Sequence, residues 1–323
     1  MARYIIRRLI VSIPVVFAIV LFTFAVVHAL PGGPFSSVGE KAMPEQMRII
    51  MERRYGLDQP LYIQFWNYLK MLAQGDFGPM MRMRSQTVND IVAQTWPVSI
   101  QLGGLAVLVA FLIGVPAGIF AALRRNSWVD YTATFVAVLG VSINNIVLGP
   151  LLILIFGVWL KVLPIAFWGA EPPWILGFLP KPTWEFWTHA VLPVFTLGTA
   201  MSAGIARLTR ASLLEVLISD YIRTARAKGL RERVVITRHA LKNSLIPVAT
   251  VLGPMLAGVL TGTFVVEQIF ALNGMGRQFL MSIEQREYFL LSSLTLIFSI
   301  MLVLGNLFVD IIYAWLDPRI RYD

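Results

Sequence analysis

The stretch DYIRTARAKGLRERVVITRHALKNSLIP, residues 220–247, lies between two apolar segments and decides how the rest of the chain is read. Seven of its residues are basic (Arg223, Arg226, Lys228, Arg231, Arg233, Arg238, Lys242) and two are acidic (Asp220, Glu232). Ser219 or Asp220 can cap a short helix through a side-chain oxygen. Tyr221 to Lys228 has helix-compatible composition, and Gly229 sits where a left-handed residue would end that helix. A second helix is expected to begin near Arg231. Ala225 and Ala227 are small enough for a partner to approach closely, and Arg223, Arg226 and Lys228 attract an acidic surface. Two readings follow from the residues alone. One is a solvated basic loop that only marks topology; the other is a docking element for a cytoplasmic partner.

Composition identifies the solvent. Of 323 residues, 57% are hydrophobic and only 14% charged, too apolar for a water-soluble domain of this length. The chain is therefore expected to sit in a bilayer. The net charge of +9 does not indicate nucleic acid as a partner, because the basic residues lie between long apolar runs and no nucleic-acid-binding motif is present. The absence of cysteine excludes disulfides, thiolate catalysis and Cys-type zinc sites. His28, His189 and His239 are not at ligand spacing, so no metal site is expected.

Six membrane-spanning helices are predicted. An uncharged run from Leu9 to Leu30 follows Arg3, Arg7 and Arg8. At about 1.5 Å per residue it crosses a hydrocarbon core of roughly 30 Å, and it exceeds the apolar core of a cleaved signal peptide. Pro14 would bend it. The region from 31 to 97 is polar, with helical stretches around Glu45–Tyr55 and Tyr62–Leu72 and a turn at Gly75-Asp76-Phe77-Gly78-Pro79. Tyr62, Phe65, Trp66 and Tyr68 suggest contact with the membrane surface. Further spans are read at Val98–Leu123, at Tyr131–Leu160 (interrupted by Asn144-Asn145 and Gly149-Pro150), at Thr188–Leu208, at Ile246–Ala271 and at Tyr288–Ala314. The organisation expected is an N-terminal helix with its extracytoplasmic region over 1–93. A five-helix transmembrane domain follows over 94–314, containing a cytoplasmic loop at 209–245, and 315–323 form a cytoplasmic tail.

The short-loop basic residues orient the chain with both termini inside, which puts residues 220–247 in the cytoplasm. No phosphate-binding loop, serine elbow, zinc-protease or kinase motif is present. Glu267 and Asp310 are the acids near span ends. An ion relay would need more such groups at mid-membrane, so the expectation is an interfacial carboxylate paired with an arginine. Gly253, Gly258 and Gly262 on the fifth span allow close helix contact, at a central interface or in ordinary bundle packing. Asn144, Asn145, Thr199 and Ser202 are uncharged polar groups that either line a translocation path or bond between helices.

The layout Arg223-Thr224-Ala225, with Gly229 four residues beyond Ala225, resembles the EAA loop of ABC-importer permeases of the dipeptide/oligopeptide/nickel group. Arg223 stands at the usual Glu and Thr224 at the first Ala. His239-Ala-Leu-Lys-Asn-Ser-Leu-Ile-Pro247 is similar to that group's continuation. Leu30-Pro-Gly-Gly-Pro34, Tyr55-Gly-Leu-Asp-Gln-Pro60, Gly75-Asp-Phe-Gly78, Val266-Glu-Gln-Ile-Phe270, Gly274-Met-Gly276 and Asp317-Pro-Arg319 resemble the first, B-type subunit. The resemblance covers nearly the whole chain. Ser142-Ile-Asn-Asn-Ile146 departs from a usual Ser-x-Pro-x-Phe, and Asn273 stands where Pro often precedes Gly-x-Gly.

The resemblance implies an all-α, type I ABC-importer permease fold in a prokaryotic cell membrane. It implies a homologous second permease, two cytoplasmic ATPases that hold ATP and Mg, and an extracytoplasmic solute-binding protein, around a chain that hydrolyses nothing itself. Tyr221, Ile222, Arg223, Thr224, Ala225, Arg226, Ala227, Lys228 and Gly229 would form the coupling helix that seats in an ATPase. Peptides are the expected solute. Nickel, glutathione or another small solute is the alternative within the class, and an ion-coupled secondary transporter or a membrane enzyme the alternatives outside it.

Overall fold

The computed structural model describes residues 2–29, 33–35, 45–81 and 85–316, which are helical throughout apart from two isolated bridge pairs and the connections. Residues 30–32 and the tail motif at 317–319 lie outside them. So do the side chains of Arg3, Arg7 and Asp310. Helix α1 (Ala2–Ala29) runs through Pro14. It is followed by α2 (Glu45–Arg54) and α3 (Leu61–Ala73), then by α4 (Val88–Leu123), α5 (Trp128–Ser142) and α6 (Asn145–Leu152), which continues as a π-wound turn over Ile153–Trp159. After a long connection come α7 (Trp184–Leu217) and α8 (Asp220–Ala227). A tight return comprises α9 (Glu232–Val234), a π-wound segment (Val235–Ala240) and α10 (Leu241–Ser244). Helices α11 (Ile246–Gly262), α12 (Phe264–Ile269), α13 (Met275–Gln285) and α14 (Tyr288–Leu316) complete it.

Among the described residues Ile10–Ala29, α4, α7 and Tyr288–Leu307 are each long and apolar enough to cross a membrane, and the bent pair α5–α6 passes the same test only when its two halves are taken together. Helix α11, with 17 residues, spans about 25 Å and is extended by α12 after a break at Thr263. Several expectations are corrected here. Helix α4 begins at Val88, ten residues early, because Thr87 and Asp90 form a capping box there and Pro97 is absorbed inside the helix. Helix α7 does not stop at Arg207 or Arg210 but continues to Leu217. Arg210 is paired there with Asp130, and arginine is itself a good helix former. The third span is not one rod. Its halves meet at 100°, and Asn144 caps the second half by accepting from Ile146 N at 3.0 Å. Gly149-Pro150 breaks nothing, since both lie within α6.

The most extensive packing is between α4 and α7. Glycine makes it possible: a Cβ on Gly114 would lie 2.6 Å from Ser202 O, and one on Gly118 2.5 Å from Ala206 O. Only a bare Cα lets the backbones approach this closely. Gly258 on α11, by contrast, has open space where a Cβ would stand, so close packing within this chain does not demand glycine there. The main core lies on α4 and α7 (Leu102, Ala106, Phe186, Leu197), closed by Phe270 and Leu272. Helix α1 lies outside, against α14. Helix α3 divides its aromatic residues: Tyr62 and Trp66 are exposed, whereas Phe65 packs on Phe24 and Tyr68 is buried with its hydroxyl 3.2 Å from Ser293 Oγ. The membrane-surface expectation thus splits between two faces of one amphipathic helix.

Candidate functional site

Helix α8 is built into the chain by one face. Ile222 (0% exposed) and Ala225 pack into a cluster with Ala122 at the end of α4, Leu213 on α7, and Val235 and Ala240 on the return. The spacing i, i+3 puts both on one side. Tyr221, Arg223, Thr224, Arg226, Ala227, Lys228 and Gly229 are exposed. Ala225 is therefore not part of a surface offered to a partner, because its methyl fills the joint between α8 and α7; Ala227 is. Ser219 occupies the N-cap position without capping, since its hydroxyl donates to Val216 O at 2.6 Å instead. The other end closes as expected. Gly229 (φ 76°) donates to Arg226 O at 2.9 Å and Leu230 N to Ala225 O at 3.4 Å, a Schellman ending.

Arg226 fixes this unit. Its guanidinium donates to both carboxylate oxygens of Glu232, at 3.1 and 2.8 Å, and to Leu217 O at 3.4 Å. One side chain thus joins the end of α7, helix α8 and the return. The hydrogen bond from Arg226 holds the Glu232 carboxyl below its usual range, and the same bond raises the Arg226 guanidinium. Asn243 Nδ2 donates to Tyr221 Oη at 2.9 Å, a second tie across the return. Cations at Arg223 and Lys228 remain exposed at the outer edge.

The four polar span residues do not converge. Thr199 and Ser202 line a groove of about 390 Å³ between α4, α5 and α7, together with Gly114, Phe120 and Thr132. Their hydroxyls are occupied by their own helix, donating to Phe195 O at 2.6 Å and Thr199 O at 2.8 Å. Asn144 and Asn145 lie at the α5–α6 break and do not line this groove. Asn144 serves as a cap, and the Asn145 Oδ1 is buried without a partner among the described residues.

Two buried clusters escaped the sequence. Asp130 (3% exposed) takes a bidentate grip from Arg210, at 2.6 and 2.8 Å, locking α5 to α7. Glu267 is fully buried, and it is not the arginine-paired interfacial carboxylate expected. It accepts from Ser99 Oγ at 2.7 Å, Thr263 Oγ1 at 2.5 Å and the backbone N–H of Arg277 at 2.9 Å. The guanidinium of Arg277 points elsewhere, to Ala271 O. Ser99 in turn accepts from Met275 N at 2.8 Å. A Cβ on Gly274 would lie 2.3 Å from the Glu267 carboxylate. The Val266-Glu-Gln-Ile-Phe and Gly-Met-Gly motifs are thus one corner, folded over a carboxylate and anchored to α4. The motif residues carried a signal for this corner; Ser99, 168 positions away, carried none.

The described residues thus form a helical bundle, with helices long and apolar enough to cross a membrane and a short amphipathic helix between two of them. The inward-facing MetNI methionine ABC transporter shares the fold, at a TM-score of 0.53 and 17% identity, with 68% of this chain and 93% of that one covered. Residues 114–322 match the family described as binding-protein-dependent transport system inner membrane component, and residues 1–102 match the N-terminal family of such membrane components. The chain belongs to this family. Among its relatives, the oligopeptide transport system permease protein OppB of Salmonella typhimurium is 42% identical over 322 residues, all of both chains. The dipeptide transport system permease protein DppB of Bacillus subtilis is 43% identical over 321 residues, 99% of this chain and 98% of that protein. The glutathione transport system permease protein GsiC of Escherichia coli O1:K1 is 39% identical over all of both chains.

Proposed function

We propose that this chain is the translocating subunit of an ATP-driven importer of short peptides. It works beside a homologous second permease, takes solute from an extracytoplasmic binding protein, and is driven by two cytoplasmic ATPases that carry the ATP and Mg. The reading rests on full-length similarity above 40% to permeases named for oligopeptides and dipeptides. Glutathione uptake is the second reading, favoured by the 39% identical GsiC.

The coupling role of residues 221–229 rests on how α8 is mounted. A helix clamped to the end of α7 through Ile222 and Arg226 moves as a rigid body with the span. Its free edge, with Arg223, Ala227 and Lys228, is left for an ATPase surface. ATP-driven closure of the ATPase pair would then displace α8, and α7 and α4 would follow. The chain contributes no hydrolytic group in this scheme; it converts displacement into alternating access. Thr199 and Ser202 are the better candidates for the path, through the groove they share, and Asn144 and Asn145 for the bend of α5–α6.

The native chain has no cysteine, so Ala227→Cys gives a single reactive thiol on the free edge of α8. It should cross-link to a co-expressed ATPase with a yield that changes on adding nucleotide. Cells carrying the whole transporter should accumulate labelled dialanine in competition with other short peptides. No cross-link to any co-expressed ATPase would overturn the coupling role, and accumulation of glutathione but not of dialanine would favour the second reading.

A further inference from the structure

A wide cavity on the extracytoplasmic side takes no part in the α8 joint, the return or the groove. Its volume, about 1010 Å³, is at the upper end of the roughly 300–1,000 Å³ typical of pockets that enclose small ligands. Its walls come from the connection between α6 and α7, the start of α4 and the first turns of α7. They are tied from behind. Trp168 Nε1 donates to Gln101 Oε1 and Gln101 Nε2 to Phe178 O, both at 2.6 Å, and Phe167 N donates to Phe270 O at 3.1 Å. Gly169 (φ 66°) is seated on α7, where a Cβ would lie 2.7 Å from His189 Nδ1. A connection held at three places is a preformed wall, which lowers the ordering cost of binding.

The lining carries both signs of charge. Glu171, Glu185 and Lys181 line the cavity, and none forms an ion pair with another described residue. Trp174 Nε1, also in the wall, is buried with no acceptor among the described residues. Aromatic faces at Phe167 and Trp168 complete the surface. Two carboxylates, an ammonium and aromatic rings suit a small zwitterion with apolar parts.

We propose that this vestibule binds short peptides by their free termini. Glu171 and Glu185 receive the α-ammonium, Lys181 receives the α-carboxylate, and the aromatic residues take the side chains. The inference rests on the peptide-import reading and deepens it: the permease itself, and not only the delivering protein, distinguishes free from blocked termini.

The test is equilibrium binding of radiolabelled dialanine to the full-length chain in phospholipid nanodiscs. Wild type should bind it saturably, and N-acetyl-dialanine and dialanine amide should each bind about fivefold more weakly, as expected for loss of one partly hydrated charge pair. Lys181→Gln should abolish only the preference for a free carboxylate. The double substitution Glu171→Gln with Glu185→Gln should abolish only the preference for a free ammonium. All three side chains are exposed, so these variants should keep the fold. Absence of saturable binding to folded wild type, equal binding of the blocked peptides, or variants that leave both preferences intact would each overturn the proposal. Dialanine uptake by the wild-type transporter is scored separately. Uptake without vestibule binding sinks this inference alone, whereas binding without uptake sinks the import reading.

Discussion

Glu267 shows how much one buried side chain can organise. Its carboxylate oxygens accept from Ser99 on α4, Thr263 before α12 and Arg277 on α13, three segments separated in sequence. Glu267→Ala leaves these donors buried and unpaired, at about 1–3 kcal/mol for each that finds no other acceptor. The thermal midpoint of the purified chain should fall by several degrees, and Glu267→Gln should recover part of the loss because one acceptor oxygen remains. An unchanged midpoint for the alanine variant would contradict this role. Gly229 makes a different demand, since nothing lies within 4 Å of its missing Cβ and only its φ of 76° requires glycine. Gly229→Ala should therefore cost about 1 kcal/mol through backbone strain alone, and Gly229→Asn less. Melting curves of the two variants compared with wild type check the order.

At the scale of elements, α8 is stable only because it is clamped. Eight residues are too few for an isolated helix in water. Ile222→Ala removes the fully buried side chain that holds it against Ala122, Leu213 and Val235. It should cost about 2–5 kcal/mol and raise amide exchange across residues 220–229, whereas the exposed Thr224→Ala should change exchange little. The Arg226–Glu232 pair adds a pH dependence. Because Arg226 holds the folded Glu232 carboxyl below its unfolded value, the pair stabilises above the unfolded pKa, and that contribution is lost as pH falls through the folded value. Both partners are substantially exposed, so the effect is small. Glu232→Gln should thus loosen α8 and the return measurably at pH 7, and the difference from wild type should vanish in acid below the carboxylate range. Exchange rates at the two pH values distinguish this from a uniform loss.

For the whole molecule, the division of labour sets the expectation. In the proposed function the chain supplies the spans and an edge for docking, and the nucleotide chemistry is assigned to partners. Purified and reconstituted alone, it should release no phosphate from ATP, while the assembled transporter should. Hydrolysis by the isolated chain would contradict the proposed function. Most of this architecture was legible from the order of apolar runs, because a bilayer forces each backbone crossing to satisfy its own hydrogen bonds as a helix. The limits of the crossings were less so. The fourth apolar run ends near Arg207 and Arg210, yet helix α7 passes both. A helix need not end where its apolar run ends, and Asp130, 80 positions away, pairs with Arg210 there.

The sequence by itself determined the solvent, the order of the spans and the end of α8 at Gly229. Each follows from local composition or from the backbone conformation of one residue. Only the tertiary structure decided that Ala225 faces inward and Ala227 outward, that Glu267 answers to hydroxyls and an N–H instead of an arginine, and that Thr199 and Ser202 share a groove that Asn144 and Asn145 do not reach. These facts depend on which distant surfaces meet. Hydrogen bonds between residues 80 or 168 positions apart leave no periodicity in a single chain to be read.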